Sequence, residues 1–363
     1  MLISTRFTTA VLAVIALLLA GEARAIDYCV GNVAQLQQAL NDAEIDGQDS
    51  IVRMRSGVYT LNANVEYDAR PYEEDTNAGL LSLRGGYNPD CSAETGKSEF
   101  TSSNRSEVLL RSARGSIDVR SMGFSGANLN VRDNNGTCGP TGLTFTADRI
   151  IFRNASADFV AACHNVRVSN ILFRDGGVVI YLIDAPNTPN DPEARLVNVT
   201  INNGRLFLHD EGSKDVFIYN SIFLHDNTDD EIYNETNLRI VSSRYDSLDH
   251  ANGGSLISSA NNTSANPNLN SASVPNAGSP MIDSGLASVP GGLSTEDVYR
   301  QDRVNGARVD RGAAESPFDL TGIYTVTNTN VAGVGSLAMA ISNANTDPAD
   351  NTIRFDIPGS CPR

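Results

Sequence analysis

DVFIYNSIF at 215–223 and NLRIVSSRY at 237–245 carry one pattern twice, 22 residues apart. Aligned on a polar residue, the pattern extends backwards, so that Asn170, Asn198, Asn220 and Ser242 become four equivalent anchors. Two residues before each anchor stand Val168, Leu196, Ile218 and Ile240, and four before stand Val166, Ala194, Val216 and Leu238. Three residues after stand Phe173, Ile201, Phe223 and Tyr245. Alternation before the anchor marks one face of a strand, and the odd step after it marks a corner where the chain turns into another strand. A lap of roughly 20–25 residues cannot bury that face alone, so laps must stack and pile like residues into rows. The anchor asparagines are then expected to form a ladder, each amide bonding its neighbours and the turn backbone.

The interval from Asn170 to Asn198 is 28 residues, and its surplus falls on the Pro/Asn/Asp-rich stretch 184–193, which reads as a protruding loop. A helical repeat competes as a reading. It fails because short runs of Val, Ile, Phe and Tyr cut by Gly176-Gly177, Asn203-Gly204 and Glu211-Gly212 are strand and turn chemistry.

One amphipathic helix stands out at 33–43, with Val33, Leu36, Leu40 and Ala43 on one stripe and Asn32 as N-cap. A strand at 50–54 follows it. Because an open solenoid end exposes apolar rows and a strand edge, a polar-backed helix laid across it is the expected cap. The unit recurs: LQQALNDAEIDGQDSIVRM at 36–54 aligns with LAMAISNANTDPADNTIRF at 337–355, which predicts a second strand, cap helix and strand. Between them, the Ser/Asn/Pro-rich stretch 255–280 has linker composition.

Residues 1–25 read as a secretory signal, with Arg6, an apolar run at 10–20 and the small-x-small pattern Ala23-Arg24-Ala25. The run is too short to span a membrane, and nothing later approaches that length, so no span is expected in the mature chain. Removing 1–25 takes away two arginines and a glutamate, which leaves 25 cations against 42 anions, a charge of about −17. That excess argues against nucleic acid or anionic lipid as partner and leaves basic or neutral glycans and divalent cations. Lys97 and Lys214 are the only lysines, which makes Schiff-base chemistry improbable.

Outside the cytoplasm disulfides are the default, and the expected pairs are Cys29 with Cys91 and Cys138 with Cys163. Cys361 is left over, which leads to the expectation that the polypeptide, or its pairing partner, continues past Arg363.

Three segments resemble a bacterial group of exported right-handed β-helix proteins. NPNLNSASVPNAGSPMIDSGL at 266–286 and DVYRQDRVNGARVDRGAAE at 297–315 are similar to the choice-of-anchor Q domain, whose members end a β-helix with a GSPAIDAG-like turn and a later Asp/Gly/Arg run. Gly278, Ser279, Pro280, Ile282, Asp283 and Gly285 carry the first part. Asp302, Arg303, Gly306, Arg308, Asp310, Gly312, Ala313 and Glu315 carry the second. The opening, YCVGNVAQLQQAL at 28–40 through LRGGYNPDCS at 83–92, is similar to the N-terminal cap of the same group. The tail at 325–355 resembles repeats that begin C-S-L-R-E-A-I, although here the run is Gly335-Ser336-Leu337-Ala338-Met339-Ala340-Ile341, without the cysteine or the Arg-Glu pair. The resemblance implies a secreted or surface location and an ordered, closing role for 266–315. It transfers no catalytic residue.

The polar cluster LHDEG at 208–212 with LHDNTDDE at 224–231 gathers His209, Asp210, His225, Asp226, Asp229, Asp230 and Glu231 on adjacent laps. Glycosidic cleavage needs two carboxylates roughly 5–10 Å apart, a spacing that laps ~4.8 Å apart can supply. The competing reading is that Asp and Asn simply occupy solvated corners. Calcium held by Asp226, Asp229, Asp230 and Glu231 is a third reading, and a lyase would add Arg239 or Arg244 as base. His164 reads as a coil residue beside a disulfide, and Asp249-His250 lacks any nucleophile elbow.

The sequence therefore predicts an all-β chain: a right-handed parallel β-helix over 26–317, with an N-terminal cap at 26–61 built on the capping α-helix, a closing segment at 266–315, and the start of a second module at 318–363. It is expected to be monomeric and exported to the bacterial cell surface or medium. As function it points to an adhesin-like scaffold that binds glycan or another surface, the alternative being a polysaccharide lyase or glycoside hydrolase.

Overall fold

The computed structural model describes residues 25–69, 79–133, 142–183, 192–211, 214–225, 230–318, 323–333, 335–345, 351–355 and 357. Among them the chain is mostly β, and the strands make two large parallel sheets. Strands of the first sheet and the second alternate along the chain: Ile117–Ser125 then Asn128–Arg132, Thr144–Arg153 then Ala157–Ala161, Asn165–Arg174 then Val178–Leu182, Ala194–Asn202 then Leu206–Asp210. Each pairs in parallel with the strand one lap later in its own sheet. This order is consistent with a stacked coil.

The rows expected from the sequence stack in register. Val168 lies beside Leu196, Leu196 beside Ile218, and Ile218 beside Ile240, all of them buried. The row three residues past the corner continues towards the N-terminus as an aromatic column. Phe100, Phe124, Phe152 and Phe173 stack with ring centroids 5.1, 4.9 and 4.5 Å apart. Strand spacing imposes that repeat, and offset stacking makes it favourable.

The corner itself is a row of residues in the left-handed backbone region: Ser121, Arg149, Asn170, Asn198, Asn220, Ser242 and Asn261, with φ between 49° and 60°. Pairing registers step over the corner residue, running Ser169↔Val197 and then Ile171↔Val199. Asn tolerates this conformation best among residues with a Cβ, which explains its recurrence.

The expected asparagine ladder is corrected. The anchor amides do not bond one another; Asn170 donates to Asp148 Oδ1 at 2.9 Å, and Asn198 donates to the carbonyls of Asp310 and Gly312 at 3.1 and 3.2 Å. Asn220 donates to Leu286 O at 3.1 Å and accepts from Leu286 N at 2.7 Å. The partners of Asn198 and Asn220, and Arg303, which donates to Asn170 Oδ1 at 3.3 Å, belong to the segment 281–316, which has few strand partners and whose buried backbone groups need donors and acceptors from elsewhere.

The segment 281–316 runs back along the side of the stacked strands, over the corner row. Arg311 donates to Ser243 O, Ala313 N donates to Thr200 Oγ1, Arg149 pairs with Glu296, and Lys97 Nζ donates to Val298 O at 2.9 Å. Val298, Ala313 and Ala314 cover Ile151 and Leu172, two apolar residues on the outer side of the first sheet. Gly312, at φ +99°, fits where a Cβ would lie 2.7 Å from both Thr200 Oγ1 and Ile222 Cδ1. The last strand of the first sheet, Ser255–Ala260, stays uncovered, with Leu256 and Ile257 exposed.

Helix α1 (Val33–Asp46) is capped by Asn32, whose side chain accepts from Gln35 N at 2.9 Å, and ends at Gly47. It runs three residues past the predicted 33–43 because the chain stays helical until glycine supplies a left-handed stop. Leu36, Ala39, Leu40 and Ala43 join the main core. Cys29 and Cys91 form the expected disulfide. Cys163 is disulfide-bonded, while Cys138 and Cys361 lie outside the described residues.

Near the C-terminus the same unit recurs: strand Ile323–Val326, helix α2 (Leu337–Ala344) and strand Thr352–Phe355, the strands parallel like Ile26–Val30 and Ser50–Arg55. No helix among the described residues is long and apolar enough to cross a membrane.

The docked segment is held by a buried charge cluster. Arg303 pairs with Glu315 at 2.9 Å and donates to the carbonyls of Ala313, Gly312 and Asp310. Burial and the Glu315 charge push Asp310 up to about 8, against the backbone donors of Asp283 and Ser316 and against Arg303. Burial likewise pushes Glu315 up to about 7. Between about pH 5 and about pH 7 the folded chain therefore binds more protons at this pair than the unfolded chain, whose carboxyls titrate near the ordinary 3.8 and 4.5. Their contribution to stability is complete below about 4 and is lost as pH rises through about 7 and about 8.

Two outcomes follow. Hydrogen exchange across 281–316, corrected for intrinsic rates, should show protection falling between about pH 5 and about pH 9, with Glu315→Gln flattening the fall. Phe152→Ala should lower stability to urea by roughly 3–5 kcal/mol, because the column leaves a hole that neighbouring rings fill only partly.

Candidate functional site

The second sheet buries Val178, Ile180, Leu182, Leu206, Leu208 and Ile232 and so turns the intervening residues outward. Those residues form an aromatic patch. Tyr181 lies beside His209 and Phe207 beside Tyr233 in register, and all four rings are half-buried. His209 is the centre: its ring is 5.9 Å from Tyr181, 6.3 Å from Phe207 and 5.6 Å from Tyr233.

Carboxylates border the patch. Tyr181 Oη donates to Glu211 at 2.7 Å, and Tyr233 Oη donates to Glu235 at 3.0 Å. The same Glu235 sits 2.8 Å from His209 Nδ1 and accepts from Asn252 Nδ2. Partial burial pushes Glu235 up, yet the donors His209, Asn252 and Tyr233 outweigh it and hold the carboxyl below its ordinary value. The bond to Glu211 raises Tyr181, and the bond to Glu235 raises Tyr233, so both remain phenols. The result is a fixed, outward-facing arrangement of rings with anionic acceptors at its edge.

The residues predicted from sequence are divided by the structure. His209 belongs to the patch. Asp210, next along the strand, accepts from Lys214 N. Glu231 is buried in an ion pair with Arg244 at 2.6 Å and also accepts from Asp246 N. Register sets His209 beside Glu235, four residues beyond Glu231, which is roughly 13 Å along the strand direction. Asp230 and His225 are half-buried, and Asp226 and Asp229 lie outside the described residues.

Arg244 also donates to Phe223 O and Asp246, whereas Arg239 makes a surface bridge to Asp215 at 2.8 Å. Among the described residues no group of three or more His, Cys, Asp or Glu is arranged to hold a metal ion. His164 is wholly buried, 2.8 Å from Asp133 and 3.0 Å from Gly115 O, and stacked on Phe145.

Sequence reasoning missed Tyr181, Phe207, Tyr233, Glu211 and Glu235. The signal lay in the second strand of each lap, where outward positions carry aromatic residues instead of small polar ones. No family model, curated protein or solved structure matches the chain.

Glu231→Gln should destabilise the chain by roughly 1.5–3 kcal/mol in urea, since it removes the buried one of the two carboxylates paired with Arg244 and leaves only the half-exposed Asp246. The surface change Asp215→Asn should shift stability by less than about 1 kcal/mol in the same measurement.

Proposed function

We propose that the chain is an exported right-handed parallel β-helix, capped by α1 and followed by a second module that opens at the strand Ile323–Val326, and that it serves as a non-catalytic scaffold binding neutral or basic glycan. Stacked parallel strands alternating between two sheets support the coil, and the right hand is the rule for parallel crossovers.

The observation that carries the function is the ring patch of Tyr181, Phe207, His209 and Tyr233 on the outside of the second sheet. A pyranose presents a face of C–H groups carrying partial positive charge, and an aromatic face is its complement. Tyrosine adds area with little loss of rotamer freedom. Glu211 and Glu235 accept from sugar hydroxyls or amines and repel acidic sugars, in keeping with a mature charge of about −17. Cleavage at the His209 to Glu231 region finds less support, because Glu231 is committed to Arg244 while His209 faces out beside Glu235.

Calorimetry with neutral and amino-sugar oligosaccharides should give saturable binding. Phe207→Ala and Tyr233→Ala should each weaken it about tenfold, the equivalent of about 1.4 kcal/mol. No new reducing ends should appear on prolonged incubation. Unchanged affinity in both variants refutes the site, and release of reducing ends refutes the non-catalytic reading.

A further inference from the structure

The first sheet carries opposite chemistry on its outer face. Its outward row three residues before the corner reads Asp118, Thr146, Arg167, Arg195, Phe217 and Arg239 in register. Where the docked segment turns at 290–294, it overhangs part of this face and borders an open cleft of about 270 Å³. Arg120, Arg167 and Arg195 line the cleft from the sheet, with Thr146, Asp148 and Ser169 between them. Pro290 to Ser294 line it from above.

Two of the three arginines are held in place. Arg120 is fixed by Asp118 at 2.7 Å. Arg195 is fixed by Glu193 at 2.8 Å and by the face of Phe217, 5.5 Å from its guanidinium carbon. Arg167 is different, because its nearest carboxylate oxygen among the described residues is Glu193 at 3.9 Å, and its side chain is 38% exposed. Asp148 offers it little, being already engaged by Ser169 Oγ at 2.7 Å, Asn170 Nδ2 at 2.9 Å and Arg149 Nε at 3.3 Å.

The overhang is shaped around these cations. Gly291 has φ +91°, and a Cβ there would lie 3.5 Å from Arg167 Nη1 and 3.7 Å from Arg195 Nη1. Both guanidinium groups thus converge on one backbone turn. Three guanidinium groups line the cleft beside Asp148; Asp118 and Glu193, just outside the lining, hold Arg120 and Arg195, which leaves Arg167 as the guanidinium of the three with no carboxylate among the described residues closer than 3.9 Å.

We infer that the cleft between the Arg120–Arg167–Arg195 face and the turn at 290–294 is an anion site that takes the carboxylate of a small polar molecule, such as a single acidic sugar. The planar fork of Arg167 matches a carboxylate with two parallel N–H bonds, and Arg195 supplies a second charge from the adjacent strand. The volume suits one residue-sized ligand and not a run of polymer. The site is independent of the aromatic patch, which lies on the other sheet.

Calorimetry on the whole chain, with glucuronate as probe and glucose, sulfate and phosphate as comparisons, tests this. Glucuronate should bind at one site, any heat from glucose should be the same in Arg167→Gln as in the unaltered chain, and sulfate and phosphate should bind more weakly than glucuronate. Arg167→Gln should weaken glucuronate binding on the order of tenfold to a hundredfold. Arg167→Lys should fall between, since it keeps the charge and loses the fork. Hydrogen exchange on the unaltered chain should show glucuronate protecting 290–294, a measurement that does not depend on any variant folding.

Tyr233→Ala should leave glucuronate binding unchanged, which separates this site from the glycan patch. Absence of glucuronate binding, equal affinity in Arg167→Gln, or phosphate bound as tightly as glucuronate overturns the assignment.

Discussion

A lap of this chain has one apolar side and nothing of its own to bury it against, so parallel pairing with the next lap is the constraint on which the rest depends. In-register pairing at Val168, Leu196, Ile218 and Ile240 removes each side chain from water and gives the strand backbones hydrogen-bond partners in the next lap. Pairing also forbids drift. A slip of one residue would turn the Phe124–Phe152–Phe173 column outward and bring Arg167 and Arg195 inside.

The left-handed corner follows from the same constraint. Strands that must return to the same register each lap need a sharp, repeated bend, and a single residue at φ near +50° provides it. Residues with a Cβ adopt that conformation at a cost of roughly 1–2 kcal/mol, least for Asn, so the corner row is enriched in Asn. Once their backbones are fixed, the side chains of Asn198 and Asn220 project a line of amides from the corner. The segment 281–316 uses that line in place of strand partners. Arg303 and Glu315 then fix its fold from within, and Gly312 permits close approach.

The stacking rows were legible from sequence because burial of one face forces period two and repetition, and both survive in composition. Helix α1 was legible for the same reason, through the stripe of Leu36, Leu40 and Ala43. The side-on course of 281–316 was not, because its contacts are backbone carbonyls meeting Asn side chains, which leave no periodicity. A faint mark existed in Ile151 and Leu172, apolar residues at outward positions that something had to cover. The polar cluster misled in part. Acidic residues grouped from neighbouring repeats, such as Asp210 and Glu231, sit at different depths and registers, whereas Glu235, absent from that grouping, stands beside His209.

In a stacked coil, an outward position is not a point but a line, since each lap adds a residue one strand spacing further on. Aromatic residues at two such positions become a patch at Tyr181, Phe207, His209 and Tyr233, and arginine at another becomes a cationic strip at Arg167 and Arg195. The two sheets share a core and face away from each other, so these chemistries do not neutralise one another. The docked segment adds what a flat strip lacks, a second wall, over the first sheet. An open patch suits a ligand that extends past any one lap, while an overhung cleft suits one that ends there, and the difference traces to which sheet borders the corner where 281–316 is held.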